Sequence, residues 1–108
     1  MIIIFHDKNE KNYKDRYSFD YGTWLNSDKI ESYYISKDGA AVIAITATGN
    51  NYHLYEYGYS QREKAAYTIQ KLLDYEADKN IKYVHITHQG EVNVVQHTVD
   101  RYGYKKRT

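Results

Sequence analysis

IESYYISKDGAAVIAITATGNNYHLYEYGYSQREKAAYTIQKLLDYEAD, residues 30–78, is the stretch that decides the fold. Three β-rich runs, 30–35, 41–48 and 52–57, are separated by two turn sequences and followed by one helical pattern. Asp38-Gly39 between strand-like runs is a hairpin signal, because glycine takes a positive φ without steric cost. Gly49-Asn50-Asn51 marks the second turn for the same reason. In the middle run Ile43 and Ile45 alternate with Val42, Ala44 and Thr46, and apolar side chains on both faces predict a central strand. In the third, Tyr52, Leu54 and Glu56 alternate with His53, Tyr55 and Tyr57. Alternation therefore predicts that one of these two sets faces away from the helix and makes contacts outside the monomer. Ser60-Gln61-Arg62-Glu63 has the form of a capping box, in which serine and glutamate satisfy each other's backbone amides. Ala65, Ala66, Ile69, Leu72, Leu73 and Ala77 then recur at helical spacing, with Arg62, Lys64, Lys71, Asp74 and Asp78 outward and Asn80 as a stop.

Outward from this unit, Ile2-Ile3-Ile4-Phe5 reads as a strand buried on both faces, central in a sheet or at a dimer edge. Residues 7–28 follow no single period: Tyr13 and Tyr17 suit a helical turn, whereas Tyr17, Phe19 and Tyr21 suit an extended chain. Residues 81–87 and 91–99 form a second hairpin around His88-Gln89-Gly90. Arg101, Tyr102, Tyr104, Lys105, Lys106 and Arg107 make a basic tail over 101–108. The expected fold is a single α+β domain over 1–108. A mostly antiparallel sheet, a β-meander plus a C-terminal hairpin, packs on one amphipathic helix.

Composition excludes more than it proposes. Fifteen basic residues against 14 acidic leave a net charge of +1, so no global field draws the chain to nucleic acid. The absence of cysteine removes disulfides, thiolate metal sites and thiol nucleophiles, and suits a reducing cytoplasm. No apolar run reaches the roughly 18 residues of a membrane span, and the apolar start is too short for a signal peptide. Mean hydropathy is −0.83. Fourteen tyrosines lower that figure, although their rings bury well wherever the hydroxyl finds a partner.

Chemistry-bearing patterns are sparse. The six glycines all read as turn residues, which excludes a phosphate-cradling glycine loop. No serine lies in a nucleophile elbow, and no pair of carboxylates stands out by spacing. No catalytic residue, metal ligand or cofactor is assigned. His6, His53, His85, His88 and His97 read as half-exposed strand positions. A cluster of His85 with His97 across the second hairpin is the alternative. The tyrosines carry the binding hypothesis: Tyr33, Tyr55, Tyr57 and Tyr59, with His53 beside them, offer rigid amphipathic surface. They are joined by Arg101, Tyr102, Tyr104 and Lys105 of the tail, where cations can hold phosphate while a ring stacks on a base. Against this stand a tyrosine-filled core and a merely solubilising tail.

The segment 33–78, with its Tyr52-His53-Leu54-Tyr55-Glu56-Tyr57 strand and Ser60-Gln61-Arg62-Glu63-Lys64-Ala65 helix start, resembles small accessory proteins. Phages and mobile elements of low-GC Gram-positive bacteria encode such chains. The resemblance implies stoichiometric action in the cytoplasm of a host cell, in the style of anti-CRISPR proteins and nucleotide-sequestering anti-defence sponges. The expectation is thus a non-enzymatic binding protein, a homodimer, that blocks a host protein or sequesters a nucleotide. The alternatives are a structural homodimerisation module and a single-stranded nucleic-acid binder, the latter disfavoured by the near-neutral charge.

Overall fold

Four consecutive apolar residues near the N-terminus, three of them β-branched, can be buried only where a strand has neighbours on both sides. In the computed structural model, which describes residues 1–6 and 22–95, strand β1 (Ile2–Phe5) occupies such a place. It lies between β2 (Thr23–Asn26), antiparallel, and β6 (Tyr83–Ile86), parallel; β7 (Val92–Val94) pairs antiparallel with β6. These strands form a four-stranded sheet in the order β2-β1-β6-β7. The remaining three, β3 (Ile30–Ile35), β4 (Ala41–Thr46) and β5 (Asn51–Glu56), form a separate antiparallel meander with β4 central. One helix, α1 (Arg62–Glu76), packs against β3 and β4 of the meander and β7 of the larger sheet.

The α+β class and the mostly antiparallel pairing are as the sequence predicts. The distribution over two sheets is not: the meander and the C-terminal hairpin share no ladder. The reason is β1, whose parallel register with β6 (Ile3 opposite Val84) draws the hairpin to the N-terminal strand. A parallel pair needs a long crossover, and the meander and helix together supply it. The segment 7–28, undecided by periodicity, contributes β2 and a short 3-10 turn at Ser27–Lys29. The expectations for Tyr13, Tyr17, Phe19, Tyr21, His97, Val99 and the 101–108 tail lie outside the described residues.

Both sheets turn one face to a common core. Ile3, Phe5, Leu25, Val84, Ile86 and Val92 come from the four-stranded sheet, Val42, Ala44 and Leu54 from the meander, and Ala65 and Leu72 from the helix. Each fully buried aliphatic or aromatic side chain of this kind contributes about 1.5–3 kcal/mol.

Two corrections concern how side chains face. The meander register steps from Val42 opposite Tyr55 to Ile43 opposite His53, so Leu54 is an extra residue on β5. Such a bulge resets the alternation. Tyr52, Leu54, Tyr55 and Tyr57 all reach the core, whereas Tyr34, Ile43 and His53 share the opposite face. Tyr55 and Tyr57 therefore do not point away from the helix.

The second correction concerns α1. Its N-cap is Gln61, without a side-chain cap, so the Ser60–Glu63 capping box does not form. The Gln61 amide donates instead to the Gly39 carbonyl, tying the helix start to the first hairpin turn. Gly39 has φ +76°, and a Cβ there would lie 2.6 Å from Ser60 Oγ. Only glycine allows this approach. The buried helix face is Ala65, Thr68 and Leu72, with Ile69 and Tyr75 half-buried, while Ala66, Leu73 and Ala77 are exposed. The helix stops at Glu76, and a turn follows in which the Asn80 amide donates to Asp78 Oδ1.

Candidate functional site

Where α1 lies beside the β6–β7 hairpin, the two leave a half-open cleft of about 590 Å³. Its floor is set by hydroxyl chemistry. Tyr57 Oη lies 3.0 Å from Thr68 Oγ1, which in turn donates to the Gly90 carbonyl at 3.4 Å. Thr68 spends its one proton on that carbonyl, so Tyr57 donates to Thr68. Strand, helix and hairpin are thereby linked by two hydrogen bonds in sequence. Burial raises the Tyr57 phenol above its ordinary range, the Thr68 contact offsetting this in part, and it is neutral at physiological pH. The Tyr55 hydroxyl donates to the His88 carbonyl and braces the same turn. Gly90 completes the brace: its φ is +84°, and a Cβ there would meet the Tyr55 ring at 2.9 Å.

The helix wall carries the charge and the rings. Tyr67, Lys71 and Tyr75 stand at i, i+4 and i+8, so they stack along one face. Lys71 Nζ lies 5.7 Å from the centroid of Tyr67 and 5.1 Å from that of Tyr75, and donates to Tyr75 Oη at 3.1 Å. Cation–π contacts of this length are attractive. The Tyr75 hydroxyl, followed by the two phenols' charge, holds the Lys71 ammonium above the ordinary lysine range. Tyr67 is 65% exposed, so its ring is available to stack. Lys64 and Glu63 line the end near the helix start; Gln89, Glu91 and Asn93 form the hairpin rim. The lining thus holds two cations, two carboxylates and two amides.

The sequence-derived candidates are dispersed by the fold. Tyr57 lines the cleft, and Tyr55 supports it from behind with the two rings 4.8 Å apart, edge to face. Tyr33 belongs to the core margin: its hydroxyl is buried with no hydrogen-bond partner among the described residues. Burial, and then the Glu76 charge, raise its pKa far above the ordinary phenol range. Tyr59 is exposed before the helix and lines no part of the cleft. His53 lies on the outer face of the meander, 3.1 Å from Glu56, beside a shallower hollow at the 36–40 turn. In that turn Asp38 accepts from Ser36 Oγ and from the Ala40 amide, which holds its carboxyl below the usual range. Arg101, Tyr102, Tyr104 and Lys105 fall outside the described residues.

The sequence reading missed Lys64, Tyr67, Lys71 and Tyr75. It placed both lysines on the solvated side of the helix. The available signal was the Tyr67-x-x-x-Lys71-x-x-x-Tyr75 spacing, which sets two rings around one cation.

Among the described histidines, His85 meets His6: their Nε2 atoms are 2.8 Å apart. Across the hairpin, His85 is opposite Asn93. Burial, and then the neighbouring His6 ring, push the His85 imidazole down to about 4. Among the described residues no helix is long and apolar enough to cross a membrane. Comparison with known proteins finds no family model, no curated protein and no solved structure that matches this chain.

Proposed function

We propose that the protein is a non-catalytic binding protein whose helix–hairpin cleft holds a nucleotide. The observation that carries this reading is the Lys71 ammonium framed by the Tyr67 and Tyr75 rings inside a cleft of about 590 Å³. That volume falls within the range that small-ligand sites occupy. A nucleobase stacked on the exposed Tyr67 ring gains about 1–3 kcal/mol. A phosphate reaches the Lys71 and Lys64 ammonium groups, and the amides of Gln89 and Asn93 can pair with base edges. The inward turn of Tyr55 and Tyr57 favours a ligand cleft over the flat tyrosine patch that a protein partner would need. Sequestration without turnover agrees with the resemblance to phage-encoded anti-defence proteins. The same proposal puts the protein in the cytoplasm of a host cell, as a homodimer whose second copy narrows the open side of the cleft.

The test is calorimetric titration of the purified full-length protein with adenosine and guanosine 5′-monophosphates, alongside Lys71→Met and Tyr67→Ala. The proposal expects saturable binding by at least one nucleotide, at least tenfold weaker in either variant at unchanged melting temperature. The nucleotide should be recovered chemically intact. Absence of saturable heat for both nucleotides overturns it, as does equal affinity in both variants.

A further inference from the structure

The cleft carries a charge pattern that phosphate binding alone does not explain. Lys64 and Lys71 belong to the helix wall, yet Glu63 and Glu91 line the same space. Glu63 has a place of its own, because an acid in the first turn of α1 complements the helix dipole. Glu91 stands on the hairpin wall and is exposed, and its carboxylate makes no hydrogen bond or ion pair among the described residues. Its backbone, by contrast, is fixed. The Glu91 amide donates to Thr87 Oγ1 at 3.2 Å, and its carbonyl accepts from the Thr87 amide at 2.9 Å. Thr68 and Tyr55 hold the carbonyls of Gly90 and His88 in the same turn. A carboxylate with no partner of its own is thus mounted on braced backbone at the cleft wall.

We propose, resting on the reading of the cleft as a nucleotide site, that Glu91 selects guanine nucleotides by accepting from the Watson–Crick edge of the base. A carboxylate only accepts, through two oxygens. Guanine presents two donors side by side, N1–H and the N2 amino group, and so fills both oxygens. Adenine offers one amino donor flanked by ring acceptors, which repel the second oxygen. Gln89 and Asn93 do not discriminate, since a side-chain amide both donates and accepts. The strand backbone adds a donor beside the carboxylate. Backbone bonds join Thr87 to Glu91 and Tyr83 to Val95, so in this antiparallel ladder residues 91, 93 and 95 turn to β6. Val92 therefore turns its N–H and carbonyl to the other edge of β7, which no described strand covers, and Val92 lines the cleft. A donor beside a paired acceptor matches guanine O6 beside N1–H and N2–H. On adenine the same N–H would meet the N6 amino group. The lysines of the helix wall are left for the phosphate, so a guanine nucleotide sets each charge against its complement.

The test is calorimetric titration of the full-length protein and its Glu91→Gln variant with guanosine, inosine and adenosine 5′-monophosphates. Inosine keeps O6 and N1–H but lacks the N2 amino group. The expected order is guanosine tightest, adenosine weaker by about tenfold or more, and inosine between them. Glu91→Gln keeps the shape of an exposed side chain and removes one acceptor oxygen. It should bring the affinities within about threefold of one another at unchanged melting temperature. Adenosine monophosphate bound as tightly as guanosine monophosphate overturns the base assignment and leaves the cleft reading standing. So does a guanine preference that survives in Glu91→Gln. Absence of saturable binding by all of these nucleotides overturns both.

Discussion

Thr68 is a polar residue on the buried face of a helix, and it is only 3% exposed. Its hydroxyl accepts from Tyr57 and donates to the Gly90 carbonyl, so it stands between three elements. Valine has nearly the same shape but leaves two half-buried polar groups without their partner. Thr68→Val should therefore cost about 1–3 kcal/mol in urea unfolding and loosen the cleft floor. A neutral result would mean that the bridge does not form in solution. His85 gives the second prediction at this scale. Its folded-state pKa of about 4 lies below the ordinary 6.5, so between those values the unfolded chain binds the extra proton. Stability contributed by neutral His85 is complete above pH 6.5, declines as pH falls toward 4, and declines no further below that. After allowance for partial solvent screening, the loss is roughly 1–2 kcal/mol. Urea titrations of chelator-treated protein at pH 7.5 and 4.5 should show that difference, and His85→Asn should flatten it.

At the scale of elements, the ends and faces of α1 distinguish what was legible from what was not. The strands 30–35 and 41–46, the Asp38-Gly39 turn and the presence of a helix follow from local chemistry, which needs no knowledge of distant partners. The helix face does not follow so directly, because Leu72 and Leu73 are equally apolar and only docking decides between them. Leu72 is fully buried and Leu73 is 44% exposed. Leu72→Ala should cost about 2–5 kcal/mol, and Leu73→Ala no more than about 0.5 kcal/mol. Equal losses in thermal or urea unfolding would reverse the assigned face. The facing of β5 was illegible for another reason. A bulge at Leu54 adds one residue against β4, and nothing in the Tyr52-His53-Leu54-Tyr55 pattern announces it. The helix start was misread because Ser60-x-x-Glu63 fits a capping box, while the cap is one residue later, at Gln61, whose amide donates to the Gly39 carbonyl of another turn.

At the scale of the molecule, a parallel pairing between residues about 80 positions apart divides the described strands into two sheets, and α1 spans both. The cleft is a product of that arrangement. Tyr57 comes from the end of the meander, Tyr67, Lys71 and Tyr75 from the helix, and Gln89, Glu91 and Asn93 from the hairpin. The tyrosines of the cleft were therefore legible as a residue type but not as a place. Composition reveals the residue type, while long-range pairing decides which tyrosines meet a lysine. The most direct test is a ¹⁵N–¹H correlation titration of the full-length protein with guanosine and adenosine 5′-monophosphates. Saturable shifts confined to amides of residues 63–75 and 89–93 are the expected result. Shifts absent at millimolar nucleotide, or centred on the outer meander face around Tyr34 and His53, would contradict the cleft as a nucleotide site.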